Sequence, residues 1–276
     1  MEAILLLLIL GVVLGLVIAI AAMIFAVDID PRIEQVEEAL PGANCGGCGF
    51  AGCGDFARAV VAGDCPPEAC PSCSSAALSD IARILGVAIG VREEKVAVVR
   101  CGGGDHAARH PRYNGVSDCR SANLVAGGPK GCDFGCLGLG TCARACPFGA
   151  IEMTDDGLAV VHPDLCVGCS KCVAVCPRNI ITMVPKSAPA HVLCNSPAKG
   201  AAKRKVCSAA CIGCRKCVKT AGEGQMIIEG FLARVNYDNP PDASIAECCP
   251  THCIHATDTG ARAETSEIMQ GEAVNG

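Results

Sequence analysis

Between Cys132 and Pro177 the chain carries two cysteine clusters, each ending in Cys-Pro, and this block restricts the possible folds more than any other stretch. The second cluster reads Cys166-x2-Cys169-x2-Cys172-x3-Cys176-Pro177. Runs of this kind hold cubane iron–sulfur clusters and send their fourth cysteine to the neighbouring cluster. The first reads Cys132-x3-Cys136-x5-Cys142-x3-Cys146-Pro147, the same pattern with one position out of place.

The rest of the composition points the same way. The 276 residues include 24 Cys and 32 Gly but no Trp, two Tyr and six Phe, so few large side chains are available to fill a core. Metals or cross-links must then hold the soluble part in shape. Dense cysteine means disulfides in an oxidising compartment or metal ligands in a reducing one. The tight spacings and repeated Cys-Pro endings favour metal, and iron–sulfur over zinc. The length allows two or three small domains, and a net charge of −5 argues against a nucleic-acid partner.

Ala3 to Val27 contains no charged residue and is almost entirely Leu, Ile, Val and Ala. A helix of that length, at about 1.5 Å per residue, exceeds the roughly 30 Å hydrocarbon core of a bilayer. A cleaved signal peptide would need a basic start and a shorter apolar centre, whereas this segment opens with Glu2. The expectation is an uncleaved, single-pass anchor in membrane lipid. Its flanking charges (Asp28, Asp30 and Arg32) barely orient it. Cysteines that must stay reduced place the soluble part on the cytoplasmic side of the cell (inner) membrane.

Pro31 to Leu40 reads as a short amphipathic helix ended by Pro41-Gly42. The Gly-rich loop that follows has the spacing Cys45-x2-Cys48-x4-Cys53-x16-Cys70, three close thiolates and one returning ligand, which suits a tetrahedral set around a cluster. Asp55 to Ala62 is a helix carrying the chain towards that fourth ligand, and Cys65 and Cys73 are spare structural thiols. Ser75 to Leu85 is a further helix and Val96 to Val99 a strand. Arg100 to Pro129 is polar and irregular and gives no assignable structure. Ile151–Met153 and Leu158–Val161 form a hairpin around Asp155-Asp156-Gly157.

A weak internal repeat follows. Val99-Arg100-Cys101 precedes Cys132-x3-Cys136-Leu-Gly, and Val192-Leu193-Cys194 precedes Cys207-x3-Cys211-Ile-Gly. Aligning the copies puts Leu139 where Cys214 stands, so the first motif lacks a ligand, which Cys132 is expected to supply. The later copy has Ala221 at its fourth position, and NPPDASIAE replaces a second triplet before Cys248-Cys249-Pro250. One cluster, rather than two, is expected there.

The expected [4Fe-4S] ligand sets are therefore Cys45, Cys48, Cys53 and Cys70; Cys132, Cys136, Cys142 and Cys176; Cys146, Cys166, Cys169 and Cys172; and Cys211, Cys214, Cys217 and Cys249. Of the remaining thiols, Cys101, Cys119, Cys194 and Cys207 form either a fifth set or buried apolar side chains. The fold class is α+β. Residues 1–27 are the transmembrane anchor, 28–90 a small helical cluster domain and 91–130 an irregular linker. Residues 131–185 are a double ferredoxin-type domain, 186–256 a degenerate ferredoxin-type unit and 257–276 a disordered tail.

No catalytic constellation stands out: the six His are scattered, and Gly102-Gly103-Gly104 lacks a following helix pattern. A chain with several one-electron centres and no substrate site is a wire. The order of its parts resembles one family. A single anchor, then Asn44-Cys45-Gly-Gly-Cys48-Gly-Phe-Ala-Gly-Cys53 with Cys70, then GCLGLGTCARACPFGAI (Gly135 to Ile151) and a second Cys-Pro motif, is similar to the B subunit of the Rnf complex. The resemblance implies an electron-transfer subunit of an ion-translocating ferredoxin:NAD+ oxidoreductase. Its partners would be soluble ferredoxin and the other membrane subunits, and it would have no substrate-converting site of its own. The alternatives are an iron–sulfur subunit of a hydrogenase or dehydrogenase, and a non-redox module held by zinc or disulfides.

Overall fold

The computed structural model describes residues 2–24, 30–90, 92–110, 113–125 and 127–257. Beyond Thr257, the expected disordered tail lies outside the described residues. Helix α1 (Glu2–Ile24) holds a window, Ile4–Ala21, with mean hydropathy 3.3 and no part of it buried against the rest of the protein. At 1.5 Å per residue its 23 residues reach about 35 Å, enough to cross a bilayer. A continuous sleeve of exposed Leu, Ile and Val is unfavourable in water.

The first soluble unit is helical. Helix α2 (Pro31–Ala39) starts with the Asp30 carboxylate accepting from the Arg32 amide and with Pro31 in its first turn. Helix α3 (Cys53–Ala62) ends at Gly63, which takes the left-handed conformation. Helix α4 (Ser75–Leu85) begins where the Ser74 hydroxyl accepts from the Ala77 amide, and it stops at left-handed Gly86. Val36, Phe56 and Ile81 are buried at the centre, and Phe50 meets Phe56 edge to face at 5.6 Å. Arg92 donates to the carbonyls of Cys70 and Pro71, fastening the end of this unit to the next.

The remainder is two copies of one small plan. In the first copy, β1 (Lys95–Val99) leads through a long segment containing α5 (Cys119–Leu124) to α6 (Thr141–Arg144). The hairpin β2 (Ile151–Met153) and β3 (Ala159–Val161), then α7 (Lys171–Val175) and β4 (Ile181–Pro185), complete it. Strand β1 pairs antiparallel with β4 from Lys95↔Pro185 to Val99↔Ile181, closing the unit on itself. Its first strand thus comes from the stretch read in the sequence as a linker, and 100–130 is an insertion within the unit.

The second copy runs β5 (Ala190–Val192), α8 (Gly200–Val206), α9 (Lys216–Thr220), the hairpin β6 (Met226–Glu229) and β7 (Leu232–Val235), and β8 (Ile254–Ala256). Strand β5 pairs with β8 as β1 does with β4. A 3-10 turn, Ala243–Cys248, stands where α7 stands in the first copy. The copies are joined by backbone: Gly102 N–H donates to the Leu193 carbonyl at 2.9 Å, Ala108 to Val206 at 2.8 Å and Ser208 to His106 at 3.1 Å.

Candidate metal centres

Three loops share one construction. In Cys136-Leu-Gly138, Cys166-Val-Gly168 and Cys211-Ile-Gly213 the glycine has φ of 78°, 75° and 69°, which favours a residue without Cβ. An added Cβ would lie 2.6 Å from the Gly157 carbonyl oxygen, 2.6 Å from that of Lys95 and 2.9 Å from that of Phe231. The loop is thus pressed against a strand or hairpin turn. Each leading sulfur then receives a strand amide: Ala97 N–H donates to Cys166 Sγ at 3.4 Å, Ala233 to Cys211 Sγ at 3.5 Å, and Ala159 to Cys136. A left-handed residue (Gly140, Ser170 or Arg215) next turns the chain into α6, α7 or α9. The second residue of each of those helices is a buried cysteine, Cys142, Cys172 or Cys217.

Four hollows result. One is ringed by Cys146, Cys166, Cys169 and Cys172, the set read from the sequence. A second is lined by Cys211, Cys214, Cys217 and Cys249, together with Cys253, whose sulfur is 3.6 Å from that of Cys249. A third brings Cys136, Cys142 and Cys176 together with Cys119. Cys132, expected in that third group, instead lines a fourth hollow with Cys101, Cys194 and Cys207.

Cys119 opens α5, whose preceding Asp118 carboxylate accepts from the Ser121 amide and the Thr141 hydroxyl; the Cys119 amide in turn donates to Thr141 Oγ1 at 2.8 Å. Those bonds tie the start of α5 to the start of α6, and so Cys119 to Cys142. Nothing periodic in the sequence around Cys119 announces this. The repeat does contain a signal: Cys132 aligns with Cys207, and Cys207 stands in a motif that already has Cys214.

In the helical unit Cys48, Cys53 and Cys65 pack against the core that holds Cys70 and Cys73. Cys45 Sγ lies 3.2 Å from Ser72 Oγ. A hydrogen bond from the Cys73 thiol, aided by backbone amides and Arg92, holds Cys70 down to about 6, while Cys73 itself is pushed up. This loop abuts the first ferredoxin-type unit: a Cβ on Gly47 would sit 3.1 Å from the Cys169 carbonyl oxygen.

Burial pushes the thiols of Cys142 and Cys217 up to about 11 and that of Cys172 to about 12, so without a cation they stay protonated at neutral pH. Hydrogen bonding from Cys253 has the opposite effect, holding Cys249 down to about 4 and Cys211 to about 6. Among the described residues, no three or more His, Cys, Asp or Glu side chains converge on a single-ion position. A mononuclear zinc site draws four ligands to about 2.3 Å from one point. Thiols arranged around a hollow, with main-chain amides aimed at their sulfurs, fit a cubane.

The fold and these sites define an iron–sulfur protein of the ferredoxin type carrying one apolar N-terminal helix. Residues 40–72 match a family model described as a putative Fe-S cluster, and residues 133–183 one described as a 4Fe-4S dicluster domain. The chain is 41% identical over 246 residues to the B subunit of the Na(+)-translocating ferredoxin:NAD(+) oxidoreductase complex of Acetobacterium woodii, covering 88% of this chain and 74% of that protein. It is 41% identical over 230 residues to the B subunit of the ion-translocating oxidoreductase complex of Methanosarcina acetivorans, covering 83% and 87%. It is 40% identical over 257 residues to the B subunit of the proton-translocating ferredoxin:NAD(+) oxidoreductase complex of Clostridium ljungdahlii, covering 91% and 90%. The chain belongs to the family of Rnf complex B subunits.

Proposed function

We propose that this chain is the iron–sulfur electron-transfer subunit of a membrane complex that couples electron exchange between ferredoxin and NAD+ to translocation of Na+ or H+. Bound [4Fe-4S] clusters supply its one-electron chemistry. The observation that carries the reading is the succession of cysteine-lined sites, from the Cys45 loop against Cys169, through the first ferredoxin-type unit, to the second. Cys45, Cys48, Cys53 and Cys70 hold the first centre; Cys146, Cys166, Cys169 and Cys172 the next; Cys136, Cys142 and Cys176 anchor a third, and Cys211, Cys214, Cys217 and Cys249 a fourth. Burial shields Cys45, Cys70, Cys142, Cys172, Cys211, Cys217 and Cys249, whereas Cys214 is exposed, and strand amides offset the charge of the leading sulfurs of Cys136, Cys166 and Cys211.

Helix α1 fixes the chain to the complex in the bilayer. Between Ile4 and Ala21 it carries no ionisable side chain, so it offers a translocated ion no ligand of its own. Thiols that must remain reduced put the soluble part on the cytoplasmic side, where soluble ferredoxin is met. A hydrogenase or dehydrogenase subunit is not favoured, because the three relatives above are B subunits of ion-translocating complexes.

Anaerobic purification of the full chain in detergent, followed by iron and sulfide analysis and EPR after addition of reduced ferredoxin, tests the proposal. Cubane signals that grow with ferredoxin are expected, as is copurification with a flavin-bearing membrane set. A colourless, zinc-filled product, or a brown product that reduced ferredoxin leaves oxidised, would sink it.

A further inference from the structure

The fourth hollow lies between the two ferredoxin-type copies. We propose that Cys101, Cys132, Cys194 and Cys207 bind a fifth [4Fe-4S] cluster there, and that Cys119, not Cys132, completes the set of Cys136, Cys142 and Cys176. The inference deepens the reading above and rests on it.

Cys101 and Cys194 each follow the last residue of an outer strand, β1 or β5, by two positions, and Cys132 and Cys207 each precede the leading motif cysteine by four. The four ligands are thus two equivalent pairs, one from each copy. A single copy supplies only two thiols, and the tetrahedral complement of a cubane exists only where the copies face each other.

The surroundings are built for sulfur. Cys101 Sγ accepts the amides of Gly103 at 3.4 Å and Cys136 at 3.3 Å. A Cβ on Gly135 would lie 3.3 Å from Cys132 Sγ and 3.4 Å from Cys101 Sγ, and one on Gly103 would lie 3.4 Å from Cys101 Sγ and 3.6 Å from Cys207 Sγ. Both glycines leave the backbone close against the thiols, as cluster loops require.

The same hollow is lined by two buried lysines, Lys130 at 4% exposure and Lys203 at 1%. Their ammonium groups donate to main-chain carbonyls, Lys130 to Gly104 and Asp156, Lys203 to Ser196 and Phe231. The nearby Asp156 carboxylate accepts from the Thr154 hydroxyl. Neutral carbonyls satisfy the hydrogen bonds but not the charge, and buried charge is costly unless an opposite charge accompanies it. Four thiolates around a cubane carry a net negative charge, which the two lysines in this lining offset in part, Lys203 being shared with Cys211.

Iron content tests the proposal on anaerobically purified, reconstituted full chain. About 20 iron atoms per chain are expected, against about 16 for four clusters, at four per cubane. Cys194→Ala should remove about four, and Cys132→Ala with Cys194→Ala no more than that, because both ligate one centre. Cys119→Ala with Cys194→Ala should remove about eight. Wild-type iron near 16 that Cys194→Ala leaves unchanged overturns the fifth cluster while keeping the functional reading. So does one zinc per chain released by Cys194→Ala. A Cys132→Ala/Cys194→Ala loss of about eight, with Cys119→Ala silent, overturns the exchange of ligands. No iron in any preparation overturns the functional reading itself. The wild-type count requires no variant to fold.

Discussion

The three Cys-x-Gly loops allow a quantitative test of how the cluster sites are held, best made at Gly168. Its φ of 75° costs an alanine roughly 1–2 kcal/mol. Its Cβ would also meet the Lys95 carbonyl oxygen at 2.6 Å, backbone on backbone, so neither side yields without moving β1 from its place beside Cys166. Overpacking of this kind adds about 1–3 kcal/mol. The expected total for Gly168→Ala is therefore about 2–5 kcal/mol. Gly149→Ala is the matched control: φ is 62°, and nothing lies within 4 Å of its added Cβ, so only the backbone cost of about 1–2 kcal/mol remains. The difference of about 1–3 kcal/mol, at a slope of about 2 kcal/mol/M, separates the two variants by roughly 0.5–1.5 M urea. The assay is the urea midpoint for anaerobic bleaching of the visible iron–sulfur absorbance, checked by far-UV circular dichroism. Coincident midpoints, or a Gly168→Ala variant as stable as the parent, would show that the close approach of loop and strand does not hold the site.

Three further outcomes follow from the site. Lys203→Met removes a buried cation that lowers the Cys211 thiol pKa, so the more negative reduced state there loses support. Redox titration followed by EPR should find a lower midpoint potential, by about 59 mV for each tenfold loss. Cys119→Ala should cost one cluster, and adding Leu139→Cys, which restores the regular motif spacing, should return it; iron content with and without the second substitution decides. In the iron-free chain, burial raises the folded-state pKa of Cys142 to about 11 and of Cys172 to about 12, above the ordinary thiol value of about 8.5. The associated stability is complete below that ordinary value and lost as pH rises through 11 to 12. Melts under reductant should therefore fall over that alkaline range for the stripped chain, and not for the loaded one.

Elements with local causes were legible in the sequence. Helix α4 has its Ser74 cap and its Gly86 stop, and its bounds read directly as Ser75–Leu85. The hairpin around Asp155-Asp156-Gly157 and the strand ending at Val99 are likewise local patterns. Residues 100–130 were not legible, because their structure is borrowed from outside. Cys119 reaches its site through Asp118 and Thr141, 23 residues apart in sequence. Arg109 bridges to Lys130 and Ala107 to Cys207, pairings between segments with no periodicity of their own. The pairing of β1 with β4 spans the whole unit, so the sequence shows the strand at 96–99 but not its partner.

The repeat bears on the reading of Cys132 as the substitute ligand. One helical turn before Cys136, it looks like a displaced substitute for the thiolate missing at Leu139. Cys207 holds the same place before Cys211, yet Cys214 is present there and nothing needs replacing. A position occupied identically in a defective and an intact motif is not explained by the defect. Its role must be common to both copies, and what the copies share is their mutual interface. There Gly102 bonds Leu193 and Ala107 bridges Cys207, bringing the two Cys-x3-Cys starts and the two strand-end cysteines to one hollow. On the assignment proposed above, the vacancy at Leu139 is met by Cys119, which lines the hollow of Cys136, Cys142 and Cys176 from an insertion the second copy lacks. Duplication thus accounts for the paired thiols between the units, and the insertion for the one ligand that the duplication did not supply.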